Sequence, residues 1–226
     1  MTLIVGAVGK GGIVLAADKN FVKPGENEHQ IDDMFLGRKI VHIEKHKVIY
    51  GFSGNRLSQL AGKTIEEHFE AKAFKVSDPE GSIRRAVGAA SKLPEIMNDP
   101  RLHGARQQML VVLYGEEVEE SPQLWKVDFT YSTSQAERCD GIAVIGAVGN
   151  AARFFQKYWK RNTPVDKLEQ LCAHIVLAAE KWDGIIDGLD MAVISKHGYH
   201  KMTGDKVEAI RERYKSLDRR MTRLFN

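Results

Sequence analysis

Cysteine is scarce in this chain of 226 residues, where Cys139 and Cys172 are the only two. Two thiols so far apart make no disulfide framework. No apolar run approaches the roughly 20 residues that span a bilayer, which excludes a transmembrane helix. The opening residues, 1–12, lack a charged leader, a long apolar stretch and a small-residue cleavage site, so the protein reads as soluble and cytoplasmic. Charge of one sign is missing too. The formal net charge is +3, with acidic and basic residues interspersed, which gives no push toward nucleic acid. The one basic concentration, residues 206–223, also carries Glu208, Glu212 and Asp218 and reads as a solvated helix face rather than a phosphate patch. The histidines are scattered. His42 and His46 flank a hairpin turn, and no Cys or carboxylate pattern completes a metal site. Neither a metal nor a cofactor is expected. Gly9-Lys10 fails as a phosphate loop, because Gly11 stands where Ser or Thr is needed and Ile4 where the first glycine belongs. Gly146-Ala147-Val148-Gly149 lacks the full dinucleotide pattern and reads as a tight strand-to-helix turn.

What is present is an ordinary globular composition, 43% hydrophobic, enough to bury a sizeable core. Residues 2–8 and 13–17 are β-branched and apolar around Gly9-Lys10-Gly11-Gly12, a hairpin pattern. A polar loop with Pro24-Gly25 follows, then a second hairpin with strands at 38–43 and 48–52. Asn55 caps an expected helix whose apolar face is Leu57, Leu60, Ala61, Ile65 and Phe69. A second helical stripe runs from Ile83 through Ala86, Val87, Ala90 and Leu93 to Met97. Strands are expected at 109–114, 124–129 and 142–145. A helix should open near Gly149-Asn150, and another at Thr163-Pro164 with Leu168, Leu171, Ile175 and Ala179 inward. A last hairpin spans 191–202. The tail, about 205–224, sets Val207, Ile210, Tyr214, Leu217, Met221 and Leu224 at alternating spacings of three and four, an amphipathic helix. Blocks of strands alternating with blocks of helices indicate α+β layering, and the absence of a linker or repeat points to one domain over 1–226.

Thr2 follows the initiator methionine and begins a strand. A small residue there favours removal of Met1, leaving Thr2 first. A terminal threonine carries both a nucleophile and a base, since its hydroxyl attacks an amide carbonyl while its own α-amine takes the proton. That amine has a pKa near 8, and a neighbouring lysine lowers it further. The plain alternative is an ordinary strand residue.

Extended to Asp18, the opening segment resembles the start of proteasome β subunits and their bacterial relatives: threonine, a valine-glycine strand, a turn, and an apolar strand ending in Ala16-Ala17-Asp18. Gly37-Arg38-Lys39-Ile40-Val41, Gly51-Phe52-Ser53-Gly54, Ile145-Gly146, the run from Ala178 to Asp183 and the run from Asp190 to Ile194 follow in family order. The resemblance covers nearly the whole chain, and the bacterial relatives include the HslV-type peptidase and the smaller bacterial proteasome homologues. It implies the four-layer αββα sandwich of the N-terminal-nucleophile (Ntn) hydrolases, and a threonine peptidase working in a ring of identical subunits on polypeptide substrates, with an ATPase unfoldase as a possible partner. It also implies roles. Asp18 holds the ammonium of Lys39. Lys39 tunes proton transfer at Thr2, the Gly51 N–H stabilises the oxyanion, and Asp183 positions the threonine amine. Phe21, Ile49 and Ser53 shape the substrate pocket. The sequence departs from the family at Ala147, where a serine is usual. A second late serine is also missing, with Asp187 close to its place, and the loop between Asp18 and Lys39 is longer. These departures keep two alternatives in play, a non-catalytic ring scaffold and a small-molecule amidase on the same fold.

Overall fold

A computed structural model describes residues 2–19, 39–53, 56–100, 103, 106–115, 121–146, 157–182 and 186–225. The first hairpin pairs β1 (Leu3–Gly9) with β2 (Gly12–Ala17) across Lys10-Gly11. Gly11 takes φ +94°, a conformation this two-residue turn needs and glycine adopts without strain. The second hairpin joins β3 (Ile40–Ile43) to β4 (Val48–Ser53) through a short 3-10 turn, Glu44–His46. Three helical segments follow, α1 (Arg56–Glu70), α2 (Pro79–Ala90) and α3 (Pro94–Met97). Then come β5 (Gln107–Leu113), β6 (Gln123–Phe129), β7 (Ser134–Cys139) and β8 (Ile142–Gly146). The chain closes with α4 (Val165–Trp182), β9 (Asp190–Ser195), β10 (Gly198–Lys201) and α5 (Gly204–Phe225).

The strands form two antiparallel sheets of five, ordered β10-β9-β2-β1-β8 and β3-β4-β5-β6-β7. Alternation along each strand sends successive side chains to opposite faces. In β1 and β2, Leu3, Val5, Ala7, Val14 and Ala16 pack under α4 and α5, while Ile4, Ile13, Leu15 and Ala17 point to the other sheet. In β4, Val48, Tyr50 and Phe52 pack under α1 and α2, and Ile49 points between the sheets. The result is four layers: helices, sheet, sheet, helices, the αββα arrangement of the α+β class. No described helix is long and apolar enough to cross a membrane.

Three local differences from the sequence reading have physical causes. The single stripe at 83–97 divides into α2 and α3, because Leu93 takes ψ 139° before Pro94, whose ring disfavours the helical conformation of the preceding residue. Strand β7 escapes apolar patterning, since only Ala136 of its six residues is buried. The outer end of α5 reaches past its support: Val207, Ile210 and Tyr214 pack against the domain, but Leu217 is exposed. Asn55 and the helix expected near Gly149-Asn150 lie outside the described residues.

The helix–sheet seam gives a test of packing. A Cβ on Gly62 of α1 would lie 2.4 Å from Cε2 of the fully buried Tyr50. Alanine improves helix propensity by about 1 kcal/mol, but overpacking a close-packed core costs about 1–3 kcal/mol. Gly62→Ala is therefore expected to lower the urea unfolding midpoint; a raised midpoint refutes the contact.

Candidate functional site

The register of the first hairpin positions the site. Ile4 pairs with Ala17, so one step further Leu3 lies across from Asp18. The Asp18 N–H donates to the Leu3 carbonyl at 3.2 Å, and the Leu3 N–H donates to Oδ1 of Asp18 at 2.7 Å. The carboxylate thus folds back onto the backbone of the residue that follows Thr2. Its other oxygen, Oδ2, accepts a hydrogen bond and ion pair from the Lys39 ammonium, which enters from the residue before β3. Asp18 is 0% exposed and Lys39 3%. Burial pushes the Lys39 ammonium below its ordinary pKa, and the hydrogen bond and charge of Asp18 work against that shift. A buried, hydrogen-bonded ion pair therefore sits one residue from Thr2, which is itself half-buried.

Gly51 lies beside this pair, opposite Ile40 in one register and Leu110 in the other. A Cβ there would stand 2.9 Å from Cδ1 of Ile4 and 3.1 Å from the Lys39 carbonyl oxygen, so only glycine lets β4 approach this closely. Ser53 shares the inward face of β4 and is 9% exposed. It meets Thr2 through Gly146: a Cβ on Gly146 would lie 1.7 Å from the Thr2 carbonyl oxygen and 2.7 Å from Oγ of Ser53. Leu3 pairs with Gly146, so the end of β8 closes over the start of β1.

Ile49 does not sit where a substrate pocket was expected. It is 0% exposed and belongs to the intersheet core with Ile4, Leu15 and Val112. Three residues of strand separate it from Ser53, which lies on the same face of β4, and Ile49 lies deep along that face. Phe21, Asp183 and Ala147 lie outside the described residues. Asp187, near the place of the second family serine, is exposed and contributes its backbone carbonyl, which accepts the Lys19 N–H at 2.7 Å and ties that segment to the residue after Asp18. Among the described residues no group of three His, Cys, Asp or Glu side chains is arranged to hold a metal ion.

Sequence reasoning passed over Gln108. It is the second residue of β5, opposite Ser53; its Oε1 accepts the Gly146 N–H at 3.0 Å, and its Nε2 donates to Asp128 at 2.7 Å. The available signal was a pair of glutamines, Gln107 and Gln108, at the start of an otherwise apolar strand.

Neither a protein-family model nor a curated relative matches the chain. Solved structures do. An Anbu (Gly-1) mutant from Hyphomicrobium sp. strain MC1 is 14% identical with a TM-score of 0.71, the alignment covering 100% of this chain and 97% of that one. Anbu (ancestral beta-subunit) from Yersinia bercovieri is 12% identical with a TM-score of 0.71, covering 99% and 96%. The helical assembly of the Anbu complex from Pseudomonas aeruginosa gives 13% identity and a TM-score of 0.72, covering 98% and 95%. These matches correct the resemblance drawn from the sequence: Anbu proteins have a proteasome-like Ntn fold but form a family distinct from HslV-type peptidases and proteasome β subunits. At such low identity the likeness shows the fold alone, and that fold is the Ntn-type αββα sandwich as Anbu proteins have it.

Proposed function

We propose that this chain, as one domain over 1–226, is an N-terminal-nucleophile hydrolase that cleaves peptide bonds through Thr2 after Met1 is removed. The observation that carries the reading is the buried Asp18, bonded at once to the Leu3 N–H and to the Lys39 ammonium. An ion pair buried this completely costs desolvation and is weak evidence for stability. Its position beside a potential terminal nucleophile gives it a catalytic use, because a cation near the α-amine of Thr2 lowers that amine's pKa and keeps it neutral as a base.

In the proposed reaction the Thr2 Oγ attacks the amide carbonyl carbon, and its proton passes to the α-amine. The amine then gives that proton to the leaving nitrogen as the C–N bond breaks, leaving an ester on Thr2. Water, deprotonated by the same amine, attacks the ester; the acyl C–Oγ bond breaks as the amine returns the proton to Oγ, releasing the acid and restoring Thr2. Gly51 N–H is the proposed oxyanion donor, Asp183 a positioning residue for the amine, and Ser53 and Phe21 pocket residues. The Anbu complex from Pseudomonas aeruginosa forms a helical assembly, and assembly of this chain with copies of itself is proposed on that likeness.

Intact mass and a β-lactone probe test the reading. The wild-type chain should lack Met1 and gain one probe mass, and Thr2→Ala should gain none and hydrolyse no fluorogenic peptide. Undiminished turnover in Thr2→Ala sinks the proposal. Ala147 favours a second reading, a non-catalytic scaffold of the same fold, whose mark is retained Met1 together with unreactive Thr2.

A further inference from the structure

At the Thr2 end of the sandwich one polar side chain crosses from the second sheet to the first. Inward-facing residues further along β5, Leu110 and Val112, belong to the apolar intersheet core. Gln108, on the same face where β5 leaves that core, instead bonds two groups. Its Oε1 accepts the Gly146 N–H at 3.0 Å and its Nε2 donates to Oδ1 of Asp128 at 2.7 Å. The amide can be oriented in only one way, since Gly146 offers a donor and the carboxylate an acceptor. Asp128 is itself anchored, by Arg106 at 2.9 Å and Lys126 at 3.4 Å. Burial raises the Asp128 pKa, but the Gln108 hydrogen bond and the charges of Lys126 and Arg106 outweigh it and hold the carboxyl below its ordinary value. The far end of the glutamine is thus fixed, and its near end holds the residue that covers the Thr2 carbonyl.

We propose that Gln108 is a positioning residue that clamps the end of β8 at Gly146 over Thr2 and so sets the geometry of the nucleophile. The proposal rests on the reading of Thr2 as a nucleophile. The strand pairing between Leu3 and Gly146 fixes the height of Gly146 along β1. The Gln108 bond ties its N–H to the opposite sheet, from which Ser53 also reaches the same spot. Without that bond the Gly146 amide, at the last residue of β8, loses the partner that holds it down.

The test uses the full-length chain, with hydrogen exchange at the Gly146 amide and acylation of Thr2 by a β-lactone followed by intact mass. Gln108→Met keeps side-chain length and loses both hydrogen bonds. Gly146 exchange should accelerate by up to about tenfold, the ordinary worth of one hydrogen bond. The maximal acylation rate should fall about 10- to 100-fold, as expected of a misplaced reacting group, with little change in the half-saturating lactone concentration. Gln108→Glu supplies a pH signature. While the new carboxyl is protonated, its carbonyl accepts from Gly146 and its O–H donates to Asp128, so the rate relative to wild type is restored. As pH rises the new carboxylate faces Asp128 across 2.7 Å-type geometry, and the relative rate falls. A purely structural role predicts no such titration, and if Gln108→Met fails to fold, this profile carries the test. Unchanged Gly146 exchange in a folded Gln108→Met, wild-type acylation in that variant, or a flat relative profile in Gln108→Glu each overturns the clamp. Absence of acylation in the wild-type chain is a different failure: it overturns the nucleophile reading, and the clamp's catalytic role with it.

Discussion

Asp18→Ala is expected to cost about 3–5 kcal/mol of stability, the usual cost of removing one member of a buried ion pair. Domains of this kind are stable by only about 5–15 kcal/mol, so the variant should lie near the edge of folding. Two groups lose the Asp18 carboxylate together. The Leu3 N–H, bonded to Oδ1 at 2.7 Å, is left at the start of a fully paired strand, and the Lys39 ammonium is left 3% exposed. Burial already lowers the Lys39 pKa, and Asp18 is what opposes that shift. Removing the carboxylate removes that opposition and lowers the Lys39 pKa further in the folded state. The folded chain then binds fewer protons than the unfolded one, so stability rises with pH between the lowered folded value and the unfolded value of about 10.4. The deficit of Asp18→Ala should therefore shrink as pH is raised through that window. Urea unfolding at neutral and at alkaline pH measures both effects. A loss under about 1 kcal/mol at neutral pH, or a deficit that grows with pH, contradicts the assignment. The double variant Asp18→Leu with Lys39→Met should recover much of the lost stability while remaining unreactive, because an apolar pair of similar volume avoids the desolvation cost.

Asp18 was singled out in the sequence through the family resemblance; the hairpin pattern at its start was legible, and the register of that hairpin sets Leu3 across from Asp18. Lys39 was reached only through family spacing, since 21 residues separate it from Asp18 and nothing local encodes the contact. Ile49, Gly51 and Ser53 also came through the resemblance, and strand alternation puts all three on one face of β4. Alternation could not say how far along that face the core ends, and Ile49 proved to lie within it. Gln108 was invisible for a related reason. Its partner Gly146 is 38 residues away on the other sheet, and intersheet stacking leaves no periodic trace. Strand β7 was missed because its exposed side chains make it look like a loop, although its backbone pairs along the edge with β6. The family assignment erred on similar grounds. Short glycine, lysine and Ala-Ala-Asp motifs report the needs of the fold, and the Anbu structures share that fold.

Gly146→Ala is expected to have the largest effect of any single added methyl group in the described sheets. Two costs combine there. The backbone is held at φ +87°, where a Cβ is strained by roughly 1–2 kcal/mol. The added carbon would also stand 1.7 Å from the Thr2 carbonyl oxygen and 2.7 Å from Oγ of Ser53. The first contact is with backbone, which has no rotamer to escape through, so either the end of β8 lifts or Thr2 is displaced. Gly11→Ala separates the two costs. Gly11 has a similar φ of +94° but no atom within 4 Å of an added Cβ, so it bears the conformational strain alone. Gly11→Ala should lose only about 1–2 kcal/mol and keep Thr2 reactive. Gly146→Ala should lose more stability than that and, if Thr2 is the nucleophile, slow acylation by about 100-fold or more, the scale of a 1 Å misplacement. Urea unfolding and lactone acylation of the two variants side by side make the comparison. Equal stability losses would mean that the end of β8 yields freely. Equal acylation rates would mean that the Gly146 turn does not govern Thr2, and that the geometry of the nucleophile is set from the Asp18 side of the strand alone.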